Sequence, residues 1–207
     1  MDITAVLSFL GVSILLTLMP GPDILFVVAQ SISQNKKAGI VTALGLCSGL
    51  IVHITAASLG ISAIIYKSAV AFAIVKYAGA AYLLYLAWKS FREKEADFTI
   101  SNQSLLKYKS LYKKGILMNL LNPKVSLFFL ALLPQFVDKT LGHVSMQMLI
   151  LGIIFLFQAL IIFIAVSVFS EKAGRLIFSN QFIAKRINVI KGSLLGIIGL
   201  QIAFSER

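Results

Sequence analysis

Charge is scarce in this sequence, and acidic charge scarcest of all. Only 13% of the 207 residues are charged, and Asp and Glu together number 8. Soluble domains carry roughly a quarter charged residues, so a water-soluble globular domain is excluded. A single cysteine, Cys47, excludes an internal disulfide and a thiol relay, both of which need a pair. Nothing in the sequence points to a metal or a cofactor. A basic stretch before the first apolar run is also missing. Asp2 is the only charge there and the first lysine is Lys36, so the N-terminal segment reads as a retained span rather than a signal peptide.

What is present is apolar. Hydrophobic residues make up 58% of the chain, and a helix that crosses the hydrocarbon needs about 20 mostly apolar residues. Hydropathy gives six candidate spans: Ile3–Ser33, Ala38–Tyr66, Ser68–Trp88, Gly115–Val137, Val144–Ser170 and Ile187–Phe204. The last is short and contains Lys191. The expectation is an all-α polytopic membrane protein, a single transmembrane unit with little left over for a soluble domain.

The formal charge of +11 invites a nucleic-acid reading, but its distribution points elsewhere. The odd-numbered connections hold clusters such as Lys107, Lys109, Lys113 and Lys114, and Lys185 with Arg186. The even ones and the C-terminus hold only Lys67, Lys139 and Arg207. Lys and Arg collect in cytoplasmic loops, so the odd connections are expected inside and no nucleic-acid partner is called for. Six spans then leave both termini outside; if the last segment is not a span, the C-terminus lies inside. The partner implied by the basic loops is the lipid bilayer.

The long connection over 89–114 separates two groups of three spans, repeat one over 1–88 and repeat two over 115–207. An odd number of spans per repeat means that the second enters the membrane inverted. A shift of 102 positions lays Leu16–Val27, "LTLMPGPDILFV", over Met118–Phe129, "MNLLNPKVSLFF". Each carries prolines and one charge inside an apolar run. Proline removes a backbone donor and clashes with the preceding turn, so the first and fourth helices are expected to be broken. Small residues four apart, Gly45 with Gly49 and Gly192 with Gly196, read as close helix packing.

Asp23 is the only acid within any span, and Lys124 is the basic residue in the fourth. A charge near the bilayer centre costs about 2.5–3.5 kcal/mol on insertion scales. The two could pair with each other or snorkel, but both accompany helix breaks, which favours a site near the midplane. A broken span frees N–H groups on one side and carbonyls on the other. Such groups are tolerable only where they line a polar cavity. Lys124 and the N–H groups would face a carboxylate, and Asp23 and the carbonyls an ammonium. That describes a site for a small zwitterion such as an amino acid, without excluding other small polar solutes.

Four stretches carry a family resemblance: "PGPD" in the first span, "GLCSGLIVH" in the second, "YAGAAYLLYLAW" in the third and "GILMNLLNPKVSLFFLALLPQF" in the fourth. In order and spacing the chain resembles the LysE/RhtB family of amino-acid exporters, the homoserine, threonine, lysine and leucine efflux type. The resemblance implies export of a neutral or basic amino acid or derivative from the cytoplasm across the cell membrane, driven by protons. It marks Pro20, Gly21, Pro22 and Asp23 as the first-half motif, and Asn122, Pro123 and Lys124 as the second, with Asn119 one turn earlier.

His53, in the second span, is a candidate proton carrier beside Asp23, because its ordinary pKa of about 6.5 lies near working pH. Gln158, in the fifth span, reads as a packing or cavity residue, and Lys76 as reaching an interface. The alternatives are a non-transporting assembly subunit and an intramembrane hydrolase built on Ser48 and His53. An assembly subunit leaves the two matched breaks unexplained. The hydrolase is disfavoured because a five-residue separation puts the pair on different helix faces. A homo-oligomer is compatible with all of this.

Overall fold

The first apolar run does not stay straight. In the computed structural model, which describes residues 2–61, 69–92 and 107–178 and isolated positions at 189, 193, 196, 197, 200 and 204, α1 spans Ile3–Leu18 and begins on an Asp2 cap that accepts from the Thr4 amide at 3.2 Å. It stops because Met19 precedes a proline. The ring of Pro20 pushes Met19 out of helical geometry, to φ −62° and ψ 127°. The chain restarts as α2, Pro22–Ser33, with Pro22 in the first turn, where its missing N–H costs nothing. The two halves are bent by 54°.

Asn35 caps α3, Lys36–Ala56, by accepting from the Ala38 amide at 3.0 Å. This helix continues through a wider π turn at Ala57–Ile61. Helix α4 covers Ala69–Arg92, overlapping the third expected span and running past its Trp88 end. Helix α5, Tyr108–Leu120, begins well before Gly115, where hydropathy places the fourth segment. Lys109, Lys113 and Lys114 hide that first part from a hydropathy scan while fitting a helix well, lysine being a good helix former.

The second break follows at once. The Asn122 side chain caps the restart by accepting from the Lys124 amide at 3.0 Å, and Pro123 occupies the first turn of α6, Pro123–Leu127. The helix widens to a π turn at Phe128–Leu132 and tightens to a 3-10 turn at Leu133–Phe136. Pro134 lies in that last turn and has no N–H to continue an α-helical ladder. The bend across this pair is 47°. Helix α7 runs from Val144 to Phe178, beyond the Ser170 end expected from hydropathy.

All described elements are helical and none is a strand. Lys36–Gly60 and Val144–Ser170 are each long and apolar enough to cross a membrane, and the two bent pairs bring the described candidates to four if each pair is one span. The sixth expected segment, with Gly192 and Lys191, falls largely outside the described residues.

Helix α3 is the hub, packed against α2, α5 and α7. Its contact with α5 is a seam of small residues. A methyl group on Gly45 would collide with the Tyr112 carbonyl, and one on Gly115 would lie 2.7 Å from the Thr42 carbonyl. In lipid, where hydrophobicity itself drives little helix association, such close approach supplies the packing. A methyl on Gly39 would strike the hydroxyls of Ser31 and Ser167, which meet each other at 2.9 Å where α2, α3 and α7 converge. Beside this seam, Phe128 and Phe129 pack on Phe155 with ring centres 4.7 and 5.3 Å apart. The burial pattern suits a membrane. Ile3, Leu7, Leu59, Ile161 and Phe169 are exposed, whereas Ser13, Asp23, Asn119, Asn122 and Gln158 are buried.

Candidate functional site

Both breaks open onto one cavity. Asp23 sits in the first turn of α2 and is 4% exposed, at the helix end where the backbone dipole favours a carboxylate. Its Oδ2 accepts a hydrogen bond from Asn119 Nδ2 at 3.1 Å. Asn119 is 1% exposed and lies in the last turn of α5, so this contact ties the first break to the second. Gly49 makes it sterically possible, since a methyl there would come within 2.9 Å of Asn119 Cβ and Oδ1.

Lys124 crosses in the opposite direction. From the first turn of α6 its Nζ donates to the carbonyls of Leu16 at 3.0 Å and Met19 at 3.4 Å. These belong to the end of α1, where the broken ladder leaves acceptors without helical partners. A cation there also meets the negative end of the helix dipole. The carbonyls expected to face a substrate ammonium are therefore held by the protein's own ammonium, which turns inward rather than snorkelling. Gly21 leaves room for it, a methyl at Gly21 falling 3.2 Å from Lys124 Nζ.

The second break has its counterpart. His53 on α3 lies 3.2 Å from the Asn119 carbonyl through Nε2 and stacks on Phe129 with centres 6.0 Å apart. A carbonyl only accepts, so Nε2 carries the hydrogen and donates it. Each half-helix that ends at a break thus has a basic side chain on its last carbonyls, Lys124 on α1 and His53 on α5. His53 is linked to Asp23 through the two ends of Asn119, its backbone and its amide.

Polar capacity is left over. Asp23 Oδ1, Asn119 Oδ1 and Asn122 Nδ2 are buried and make no hydrogen bond. Ser13 Oγ and Gln158 Oε1 share this condition away from the breaks, and leaving such an atom unmet costs about 1–3 kcal/mol. The cavity, about 20 Å³, is bounded on its polar side by Asp23, Asn119 and Lys124 and otherwise by Leu16, Thr17, Leu50, Val125, Phe155, Ala159 and Phe163. That volume holds about one water molecule.

Of the residues singled out in the sequence, Asp23, Asn119 and Lys124 bound the cavity, and Gly21 lies beside Lys124 Nζ without bounding it. Asn122 caps the restart beside them. Pro20, Pro22 and Pro123 form the breaks without bounding the cavity. Gln158 stands one step back, donating to Thr17 Oγ1 at 2.9 Å. Ser48 and His53 do not meet: the Ser48 hydroxyl bonds the Leu44 carbonyl and the Tyr112 hydroxyl, both at 2.8 Å. Thr17, Leu50 and the α7 wall were not marked as site residues. Phe155, Ala159 and Phe163 do recur at a helical spacing of four, but ordinary packing produces the same pattern.

The match to known proteins extends over this whole arrangement. The family model for LysE type translocators matches residues 6–206. The chain belongs to the LysE family.

Among LysE-family relatives, a membrane protein of Vibrio cholerae is 32% identical over 206 residues, covering all of both chains. The homoserine/homoserine lactone efflux protein of Salmonella typhimurium is 30% identical, with 97% of this chain and 96% of that protein covered. The leucine efflux protein of the same species is 31% identical over 70% of this chain and 69% of its own. No solved structure matches the chain. A LysE-family chain is a membrane transporter and not an enzyme, which disposes of the hydrolase reading alongside the separation of Ser48 from His53.

Proposed function

We propose that this LysE-family chain exports a small amino acid, or a close derivative, from the cytoplasm in exchange for protons, by alternating access between two inverted three-helix repeats. The observation that carries this is the meeting of Asp23, Asn119 and Lys124 at one cavity, each brought there by a broken helix. The names of the leucine and homoserine efflux relatives favour an amino acid over other small polar solutes.

In this reading the substrate ammonium takes Asp23 Oδ1 and Asn119 Oδ1, and the carboxylate takes Asn122 Nδ2 and the Lys124 ammonium. Coupling follows from competition. A carboxylate that holds a proton no longer attracts an ammonium, so Asp23 carries either substrate or proton but not both together. Substrate leaves outward and the proton returns inward, with His53 as a second candidate carrier behind Asn119.

The cavity fits about one water molecule, so an amino acid enters only when the surrounding helices part. The bends of 54° and 47° are the natural joints for that motion. Support for two inverted repeats comes from the breaks: α1 ends at Leu18 and α5 at Leu120, the same offset of 102 positions as the sequence match, and a proline opens the helix after each.

The test is efflux from proteoliposomes. Vesicles of purified protein are loaded with labelled amino acids and acidified outside. Acceleration of amino-acid loss by the gradient is the expected result. Loss no faster than from protein-free vesicles, for every amino acid tried, would overturn the proposal.

A further inference from the structure

The chemistry of the cavity wall narrows what it holds. The charged and amide groups that bound the cavity come from α2, α5 and α6. The α7 wall contributes Phe155, Ala159 and Phe163, which lie at successive helical turns and bound the cavity together. Phe155 and Phe163 are both 4% exposed and Ala159 is 1% exposed. Leu50 on α3 also borders the cavity.

Among the described residues that bound the cavity, Thr17 on α1 is the one hydroxyl, and its hydrogen is committed. It donates to the Ser13 carbonyl at 2.8 Å while its oxygen accepts from Gln158 Nε2 at 2.9 Å. It therefore has no donor for a hydroxylated solute. Apart from Asp23, no acid among the described residues borders the cavity. A second ammonium or a guanidinium on the substrate would be buried against apolar groups with no counter-charge, at a cost that excludes it. An acidic side chain would meet the same wall.

We infer that the α7 face of Phe155, Ala159 and Phe163 is the side-chain subsite, that it takes an uncharged aliphatic side chain, and that Ala159 sets the size limit. This rests on the amino-acid export reading and deepens it. Ala159 is the small residue between two large aromatic ones, so its methyl defines the floor between the rings. Once the helices part, a leucine-sized side chain would lie over that floor, and adding carbons to residue 159 takes away the space it would use. One or two methylenes in an apolar pocket change selectivity by about 10- to 200-fold.

The experiment is uptake by proteoliposomes under an imposed proton gradient, with labelled alanine, leucine and lysine, for wild type, Ala159→Leu and Ala159→Gly. Wild type is expected to move leucine at least about tenfold faster than lysine. Ala159→Leu is expected to lower the leucine-to-alanine ratio by about tenfold or more, and Ala159→Gly to raise it. The glycine variant serves as the second probe should the larger side chain prevent folding. Lysine moving as fast as leucine, or ratios unchanged in the variants that fold, overturns the subsite while leaving export intact. No movement of any amino acid overturns the export reading and this inference with it.

Discussion

The ammonium of Lys124, in the second broken helix, lies 3.0 Å from the carbonyl of Leu16 at the end of the first. One contact therefore joins two interruptions 108 positions apart in sequence. It gives the α1 end a partner for backbone that the break leaves open, and it holds the charge inside the protein. In the proposed reading, a substrate carboxylate would compete with the Leu16 and Met19 carbonyls for this ammonium.

Replacing Lys124 with Met removes the charge but keeps a similar length of chain. The carbonyls of Leu16 and Met19 lose their donor, and an unmet buried acceptor costs about 1–3 kcal/mol. The variant is expected to insert into the membrane, melt at a lower temperature in detergent and lose export. Thermal melting beside vesicle efflux checks both parts. Export at the wild-type rate would remove Lys124 from the site.

Gly49 lies under Asn119, and its substitution separates packing from chemistry. Gly49→Ala puts a methyl 2.9 Å from Asn119 Cβ and Oδ1, which displaces the amide from Asp23. Overpacking of this kind costs about 1–3 kcal/mol, and the expected result is a folded protein with sharply reduced transport. Gly11→Ala is the control, since a methyl there meets nothing within 4 Å, and it is expected to leave both stability and transport unchanged. Equal transport by the two variants would show that Asn119 does not need its present position.

His53 donates to the Asn119 carbonyl and stacks on Phe129, so a structural role and a proton-carrying role make different forecasts. His53→Gln keeps a donor near that carbonyl but cannot titrate. If His53 carries protons, transport by this variant loses part of its dependence on external pH while stability changes by no more than about 1 kcal/mol. The check is the pH profile of efflux from pH 5.5 to 8. A profile that overlays the wild type assigns His53 to structure alone.

Much of this was readable from the chain, and for identifiable reasons. The breaks announce themselves because proline has no N–H and Asp23 and Lys124 are out of place in apolar runs. Hydropathy located the straight spans of α3 and α7 for the same reason that lipid accepts them. The partner of Lys124 was not legible, because sequence does not say which helices become neighbours. Gly49 looked like generic packing until α5 placed Asn119 against it. The early start of α5 was hidden by its lysines, which favour a helix but count against a span. The aliphatic wall on α7 was invisible as a site because apolar side chains at helical spacing look the same whether they face a core or a substrate.

The central claim is that one cavity, with Asp23 as its carboxylate, binds the solute that is exported. Asp23→Asn tests it most directly, since the amide keeps the shape and a contact with Asn119 but abolishes the charge. The measurement is proton-driven amino-acid efflux from proteoliposomes holding equal amounts of inserted wild type and variant. The account predicts efflux from the Asp23→Asn vesicles no faster than from protein-free vesicles. Efflux at the wild-type rate would contradict it.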